Sequence, residues 1–400
     1  MSIRIIIEKY DHLARGIAHL NGKVVFVKGA LIGEEVLANV IKENKKYIEA
    51  EMVKVIKKSD KRIDAMCPFF EKCGGCSYWH ADYDEEVRIK LENFKDILFR
   101  YGNVKYNPKV VTGNKSYGYR NKITFKINNY EWGYYNDETH DFVSINYCLI
   151  AKSAINDIVK CKDLFDVKNG SIVIRCNYNN EILIGIETSD DAKININELC
   201  KNNKIVGIVL NGKIIYGEDY FIERIDNLFY KVNINSFFQI NTEVLREVFK
   251  IISKKEYKNV VDLYCGVGTL GISLKKEKLY GIEVNKNAVF DAQTNAKMNK
   301  QENNYYMLGD ASLLEKIDVS IDLIIVDPPR SGLNKKTLNV LVSSGAHNII
   351  YMSCNAITLA RDLKEICNFY DINDMYVLDM FPRTRHVECV SVLHRKSLEK

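Results

Sequence analysis

Two side chains near the C-terminus are of the kind that carry covalent chemistry. Cys354 ends the apolar run HNIIYMSC and precedes Asn355 and the helical pattern ITLARDLKEIC. A cysteine between a strand end and a helix start meets backbone N–H groups and the positive end of the helix dipole. Its thiol is therefore expected to ionise below the usual value of about 8.5. The alternative is a buried structural cysteine, a common fate for this residue. Glu388 interrupts the apolar strand VECVSVL, and His386 lies two residues earlier on the same predicted strand face. A carboxylate there is either an exposed surface residue or a positioned general base.

A second group is Cys67, Cys73 and Cys76 in CPFFEKCGGCSYWH. The chain has 11 cysteines, an odd number in a long sequence that opens without a signal-peptide pattern. A clustered subset then points to metal binding or catalysis rather than to a disulfide framework. The spacing accommodates zinc as well as an iron–sulfur cluster and does not decide between them.

A third group can hold a nucleoside. The segment VDLYCGVGT, Val261 to Thr269, ends a predicted strand and opens a helix, and its glycines let the backbone approach a ligand. The next strand ends in Glu283, where a ribose-binding carboxylate belongs, and the one after ends in Asp310, placed to accept from an adenine amino group. The glycines fall at Gly266, Gly268 and Gly271, a spacing that nucleotide-binding loops share, and S-adenosylmethionine rather than a dinucleotide is the expected ligand. Asp327-Pro328-Pro329-Arg330 follows the strand IDLIIV, and its prolines pin a loop at the same sheet edge. Amino-group methyltransferases usually carry an aromatic residue after such prolines, where Arg330 stands here.

These groups need elements to position them. Residues 1–58 carry short β-branched runs punctuated by glycines, the pattern of a small barrel. Lys57 to Asp64 is a charged linker. A helix over Asp84 to Tyr101 places Val87, Leu91, Phe94, Ile97 and Leu98 on one face. Strands dominate from about 118 to 235, interrupted by a helix near 151–163. From 236 onwards strand and helix alternate, predicting a doubly wound parallel sheet. The 400 residues are 46% hydrophobic with a net charge of +5, which permits a nucleic-acid partner without demanding one. No apolar run approaches the roughly 20 residues of a membrane span, so a cytoplasmic, membrane-free monomer is expected.

The sequence resembles the RNA uracil-C5 methyltransferases, and more narrowly their iron–sulfur, 23S ribosomal RNA branch. SFFQIN at Ser236–Asn241, DLYCGVGT, GIE, DPPRSGL, SCN-x-x-TLARD and HVE occur in the family's order over nearly the whole chain. The resemblance implies an α/β fold with a C-terminal Rossmann-like S-adenosylmethionine-dependent domain at 236–400. It implies an N-terminal OB-like, RNA-binding TRAM barrel at 1–58, and a β-rich central domain at 59–235 carrying a [4Fe–4S] cluster. The stretch 85–110 is expected to pack with the catalytic domain. Gln239, Tyr264, Thr269, Glu283 and Asp327 match cofactor-contacting positions, with Asp310 beside the adenine. Cys354 matches the nucleophile and Glu388 the general base. Cys67, Cys73, Cys76 and Cys148 match the four cluster ligands.

The implied reaction is methylation of a uridine in 23S ribosomal RNA, with tRNA T-loop uridine as the second substrate reading. Phe69, Phe70, Tyr78 and Trp79 either stack on splayed bases or pack around the cluster. A non-catalytic RNA-binding assembly factor is the reading from another class, and the intact Cys354 and Glu388 argue against it. A zinc-binding amino methyltransferase is disfavoured by Arg330 and the nucleophile. One departure from the family is Ala356, where proline usually stands to preset the first helical turn; alanine can adopt the same backbone.

Overall fold

The computed structural model describes residues 1–136 and 139–397, so the last three residues of the 236–400 segment lie outside the described residues. Alternating burial along Ser2–Ile6, Arg15–Leu20 and Lys23–Lys28 reflects the period-2 pattern of their sequences. With Lys9–Tyr10, Glu35–Glu43 and Tyr47–Lys57 they form a six-stranded sheet around Ile3, Ile5, Ile7, Val25, Val27, Val36 and Ile48. The predicted linker after it is tied down. Arg62 reaches back to the fully buried Glu34, donating at 2.6 and 2.7 Å, and to the Gly29 carbonyl at 2.6 Å.

The central part is a seven-stranded sheet. It runs Phe142–Ser144, Glu131–Tyr135, Lys122–Asn128, Asn169–Cys176, Ile182–Glu187, Ile205–Leu210 and Lys213–Gly217, in that spatial order. Helix Ser153–Lys160 packs on it through Ile155, Ile158 and Val159.

The C-terminal sheet has eight strands. Asn304–Leu308, Lys276–Glu283, Tyr257–Leu263, Leu323–Val326 and Asn348–Ser353 are parallel neighbours. Glu388–Arg395 then runs antiparallel beside Asn348–Ser353, and Tyr370–Leu378 beside that. The edge strand is Lys109–Val111, from far earlier in the chain.

Helix Tyr83–Gly102 also joins this unit, lying on helix Ala356–Ile366 so closely that a Cβ on Gly102 would stand 2.6 Å from the Ala360 carbonyl. Its buried side differs from the predicted apolar stripe. Phe94 and Leu98 are buried, Val87 and Leu91 only partly, and Glu86 and Lys90 lie fully inside as an ion pair with Asp379. Apolar periodicity cannot anticipate charges that are buried because they are paired.

Packing also crosses residue 236. Hairpin Tyr220–Ile225/Leu228–Asn233 places Phe221, Ile225, Tyr230 and Val232 in the core under the C-terminal sheet. Among the described residues no helix is long and apolar enough to cross a membrane.

Candidate active site

The carboxyl ends of the parallel strands carry the chemical groups. Ser353 pairs with Cys389 across the antiparallel step, so the next residues outward, Cys354 and Glu388, leave the sheet side by side. Asp327 follows the adjoining strand. Its backbone N–H donates to the Leu263 carbonyl at 3.4 Å.

Glu388 is buried, and its Oε2 has no hydrogen-bond partner. Burial, then the neighbouring Asp327, pushes its carboxyl up to about 8, and burial pushes Asp327 up to about 7. The Cys354 thiol is also pushed up, by burial first and then by Glu388 and Asp327, while Arg330 and the residue's own amide oppose this. The expectation of a lowered thiol pKa therefore does not hold in the free protein: carboxylates and desolvation outweigh the helix start.

The helix after Cys354 begins at Ala356, with the Asn355 side chain accepting from the Ile357 amide at 3.0 Å. Asn355 also donates to the Arg330 carbonyl at 2.9 Å, and Arg361 donates to the carbonyls of Ser331 and Leu333 at 3.1 and 3.0 Å. Asp362 accepts from the Leu333 amide and the Tyr351 hydroxyl at 2.9 and 2.7 Å. Asn355, Arg361 and Asp362 thus clip the 330–333 loop to the helix carrying Cys354. Residue types alone gave these three no role, because their work is done on backbone atoms far away in sequence.

His386 is not on a strand, since the strand starts at Glu388; it is exposed in the preceding loop. Although the residue presents surface to solvent, the chain crowded around its ring desolvates it and, with Arg330, Arg385, Lys90 and Arg120 nearby, pushes its pKa down to about 4. It faces a cationic surface. A second concentration of cations lies at Arg120, Lys122 and Arg175. Burial and the two arginines push Lys122 down to about 8, and the Nε atoms of Arg120 and Arg175 are buried without partners.

A pocket of about 220 Å³ opens at the carboxyl ends of strands Tyr257–Leu263, Lys276–Glu283 and Asn304–Leu308, lined by Tyr264, Glu283, Asp310, Ser312, Asn334 and Lys336 among others. Tyr264 holds a positive φ of 61°, a conformation that non-glycine residues keep where function or packing imposes it. Glu283 accepts from the amides of Gly266 and Asn285 at 3.1 and 2.8 Å, locking the glycine loop to the strand end. Asp310 Oδ1 caps a short 3-10 turn, accepting from the Ser312 amide at 2.9 Å and from the Ser312 hydroxyl.

Of the six residues expected around the cofactor, Tyr264, Glu283 and Asp310 share this pocket. Thr269 starts the following helix, its carbonyl accepting from the Tyr230 hydroxyl at 3.2 Å. Gln239 is buried nearby in sequence to Ser236, its carbonyl accepting from Asn121 at 3.2 Å. Asp327 stands with Cys354 and Glu388. Asn334 and Lys336 were not anticipated, because nothing in their local sequence marks them.

The four cysteines share one neighbourhood. Burial pushes Cys76 up to about 12 with Cys148, Cys73 and Cys67 adding to it, and burial pushes Cys148 up to about 11 with Cys73 contributing. The Cys148 backbone is fixed on both sides by Asn156, at 2.9 and 3.0 Å. Among the described residues no group of three or more His, Cys, Asp or Glu side chains is set to hold a metal ion. The surrounding rings are packing: Trp79 and Tyr78 are almost fully buried, and Phe69 and Phe70 contact the cysteine-lined cores.

A parallel sheet with a glycine loop, acidic strand ends and a pocket at its carboxyl edge defines the methyltransferase class of α/β fold. Comparisons with known proteins narrow this. The profile of the tRNA (Uracil-5-)-methyltransferase family matches residues 308–396, that of the methyltransferase small domain matches 238–350, and that of the TRAM domain matches 2–53.

A protein described as an uncharacterized RNA methyltransferase of Aquifex aeolicus is 32% identical, with 98% of this chain and 99% of that protein covered. Another, from Caldanaerobacter subterraneus subsp. tengcongensis, is 30% identical over 98% of each. The crystal structure of Pyrococcus abyssi tRNA (uracil-54, C5)-methyltransferase in complex with S-adenosyl-L-homocysteine has the same fold. Its TM-score is 0.78 at 24% identity, over 98% of this chain and all of that one. The chain belongs to the RNA uracil-C5 methyltransferase family, with an N-terminal TRAM domain.

Proposed function

We propose that this protein transfers a methyl group from S-adenosylmethionine to C5 of a uridine in 23S ribosomal RNA, through a covalent Cys354 adduct. The observation that carries the reading is the nearness of Cys354 to Glu388, one residue beyond the Ser353–Cys389 register pair, with the buried Oε2 of Glu388 lacking a partner. Carbon 5 of uracil is too weak a nucleophile to take a methyl group unaided. Attack of the Cys354 thiolate on C6 forms an S–C6 bond and moves electron density to C5. C5 then takes the methyl group from the sulfonium donor. Glu388 removes the C5 proton, and the S–C6 bond breaks to restore the ring and the thiolate.

Tyr264, Glu283 and Asp310 are the residues proposed for the adenosine end of the donor. Gln239, Thr269 and Asp327 are proposed for its reacting end and for the base. The target uridine must leave its stack to meet Cys354. The exposed cations Arg330 and Arg385 supply phosphate contacts.

Cys67, Cys73, Cys76 and Cys148 are proposed to hold a [4Fe–4S] cluster. Their thiols lie close enough to one another for Cys67, Cys73 and Cys148 to raise that of Cys76, which fits a shared donor set. A bound cluster would cross-link the loop, since no step of the transfer moves an electron.

The decisive experiment incubates the protein with RNA containing 5-fluorouridine. A denaturation-stable protein–RNA adduct is expected, and Cys354→Ala should abolish it; an adduct surviving that change defeats the mechanism. The likeness to the Pyrococcus abyssi enzyme favours tRNA as the second substrate reading. Mapping 5-methyluridine in total RNA with and without the gene separates the two, and loss confined to tRNA rejects the ribosomal one.

A further inference from the structure

Residues 379–387 join strands Tyr370–Leu378 and Glu388–Arg395, whose last register pair is Leu378 with Glu388. Other parts of the chain take up the carbonyls of this connection one after another. Met380 accepts from Asn241 Nδ2 at 3.3 Å, Phe381 from Lys90 Nζ at 3.2 Å and Pro382 from the Tyr119 hydroxyl at 3.0 Å. The Arg383 carbonyl accepts from the amides of Ser77 and Tyr78 at 2.7 and 3.2 Å, and its own amide donates to Glu86 Oε1 at 2.6 Å.

Arg383 has φ of 68°, and its guanidinium donates to the Ala81 carbonyl and the Ser116 hydroxyl, both at 3.0 Å. The guanidinium lies over the rings of Trp79 and Tyr83, 4.9 and 5.3 Å from their centroids. Beneath it, Lys90 joins Glu86 and Asp379 at 2.6 and 2.7 Å.

We infer that Arg383 is a positioning residue for Glu388, holding the loop that delivers the carboxylate to the site. The inference rests on the reading of Glu388 as the base. A left-handed non-glycine backbone persists only where its surroundings dictate it. Here they dictate it from three segments, helix Tyr83–Gly102 through Glu86, residues 77–81 and Ser116, while Tyr119 and Asn241 hold the neighbouring Pro382 and Met380. Two of those contacts are the amides that directly follow Cys76, so Arg383 also joins the cysteine loop to the catalytic loop. Releasing the loop displaces Glu388 relative to the substrate, and displacement of that kind costs the chemical step rather than binding. A residue serving only the fold would lower stability and leave the turnover of folded protein intact.

The test measures kcat and the RNA KM of Arg383→Met and Arg383→Lys, at a temperature where circular dichroism shows both folded. Arg383→Met is expected to lose about 100-fold in kcat while KM stays within about threefold. Lysine keeps one donor but not the planar fork, so Arg383→Lys should recover about tenfold of that loss. Amide hydrogen exchange over 384–388 should quicken in the methionine variant. A kcat near the wild-type value, or a raised KM with kcat unchanged, overturns the inference.

Should Arg383→Met not fold, Tyr119→Phe removes the donor to Pro382. It is expected to cost about fivefold in kcat at constant KM, and an unchanged kcat counts against the inference. Failure of the underlying reading shows elsewhere: wild-type protein that forms no adduct with 5-fluorouridine RNA, or full kcat in Glu388→Gln.

Discussion

Ser353 and Cys389 are register partners, and the residues just beyond them, Cys354 and Glu388, stand together because one strand runs up the sheet and the other down. In an all-parallel sheet the two would come from separate loops. Here the antiparallel hairpin brings a residue from the start of its second strand to the same edge that parallel strands reach at their ends.

If Glu388 removes the C5 proton, Glu388→Gln should slow turnover by about 10² to 10⁴-fold yet still add Cys354 to uridine. The methylated, covalently bound intermediate should then accumulate on ordinary RNA. Denaturing gel electrophoresis with radiolabelled methyl donor checks this, and an absence of trapped label would place the base elsewhere.

The same variant carries a stability signature. The folded pKa of Glu388, about 8, lies above its unfolded value, so the folded state holds a proton that the unfolded state has lost. That stabilisation is complete below the unfolded value and disappears as pH rises through about 8. Glu388→Gln, which cannot ionise, should therefore melt progressively higher than wild type between pH 5 and pH 8.5. The gain should reach about 2 kcal/mol, roughly half of the full shift at about 1.4 kcal/mol per unit, because water relaxes around the charge. Scanning calorimetry across that range is the check, and a pH-independent difference counts against a buried, neutral Glu388.

Glu34 makes the opposite case. Burial alone would raise its carboxyl, but the Arg62 hydrogen bonds and the amides of Leu31 and Ser59 prevail and hold it below the ordinary carboxylate range. Its stabilisation is present above the unfolded value and lost as pH falls through the lowered folded one. Glu34→Ala strands Arg62 beside a buried wall and should lower the first thermal transition, by about 3 kcal/mol of stability. Glu34→Ala melting like wild type would show that Arg62 finds another partner.

Glu283 locks the glycine loop through Gly266 while facing the pocket. Glu283→Ala should weaken S-adenosylmethionine binding by about 10- to 100-fold, the loss of a charged hydrogen-bond acceptor. Titration calorimetry without RNA reads this directly, and unchanged affinity would move the donor out of this pocket.

Anaerobically purified protein should be brown and contain iron and sulfide. Cys148→Ser should lose both. A colourless, zinc-containing protein would remove the cluster from the account.

The alternation of apolar runs and helical patterns after residue 236 was legible because the central strands, such as Leu323–Val326 and Asn348–Ser353, are buried on both faces and the helices on one. Glu283 and Asp310 were readable as strand ends, which face the ligand edge, whereas Tyr264 came from the family resemblance; all three line the pocket. The fate of His386 was not, because a strand cannot be distinguished from its lead-in loop when the pairing partner is unknown. The Cys354 environment was misjudged on charge, since Glu388 and Asp327 approach it only through the sheet. Glu86, Lys90 and Asp379 were invisible: their burial depends on partners almost three hundred residues away.

Strand Lys109–Val111 pairs with Tyr376–Leu378 at the end of the outer strand, and its three residues have a consequence for how the molecule can be divided. A fragment beginning at 236 would bare the backbone donors and acceptors of Tyr376–Leu378, the end of that strand nearest the site. Such an edge invites a second copy to pair with it. The early segment is thus a guard against self-association as much as a connector, and the catalytic half cannot be separated at that point without uncovering a sticky margin.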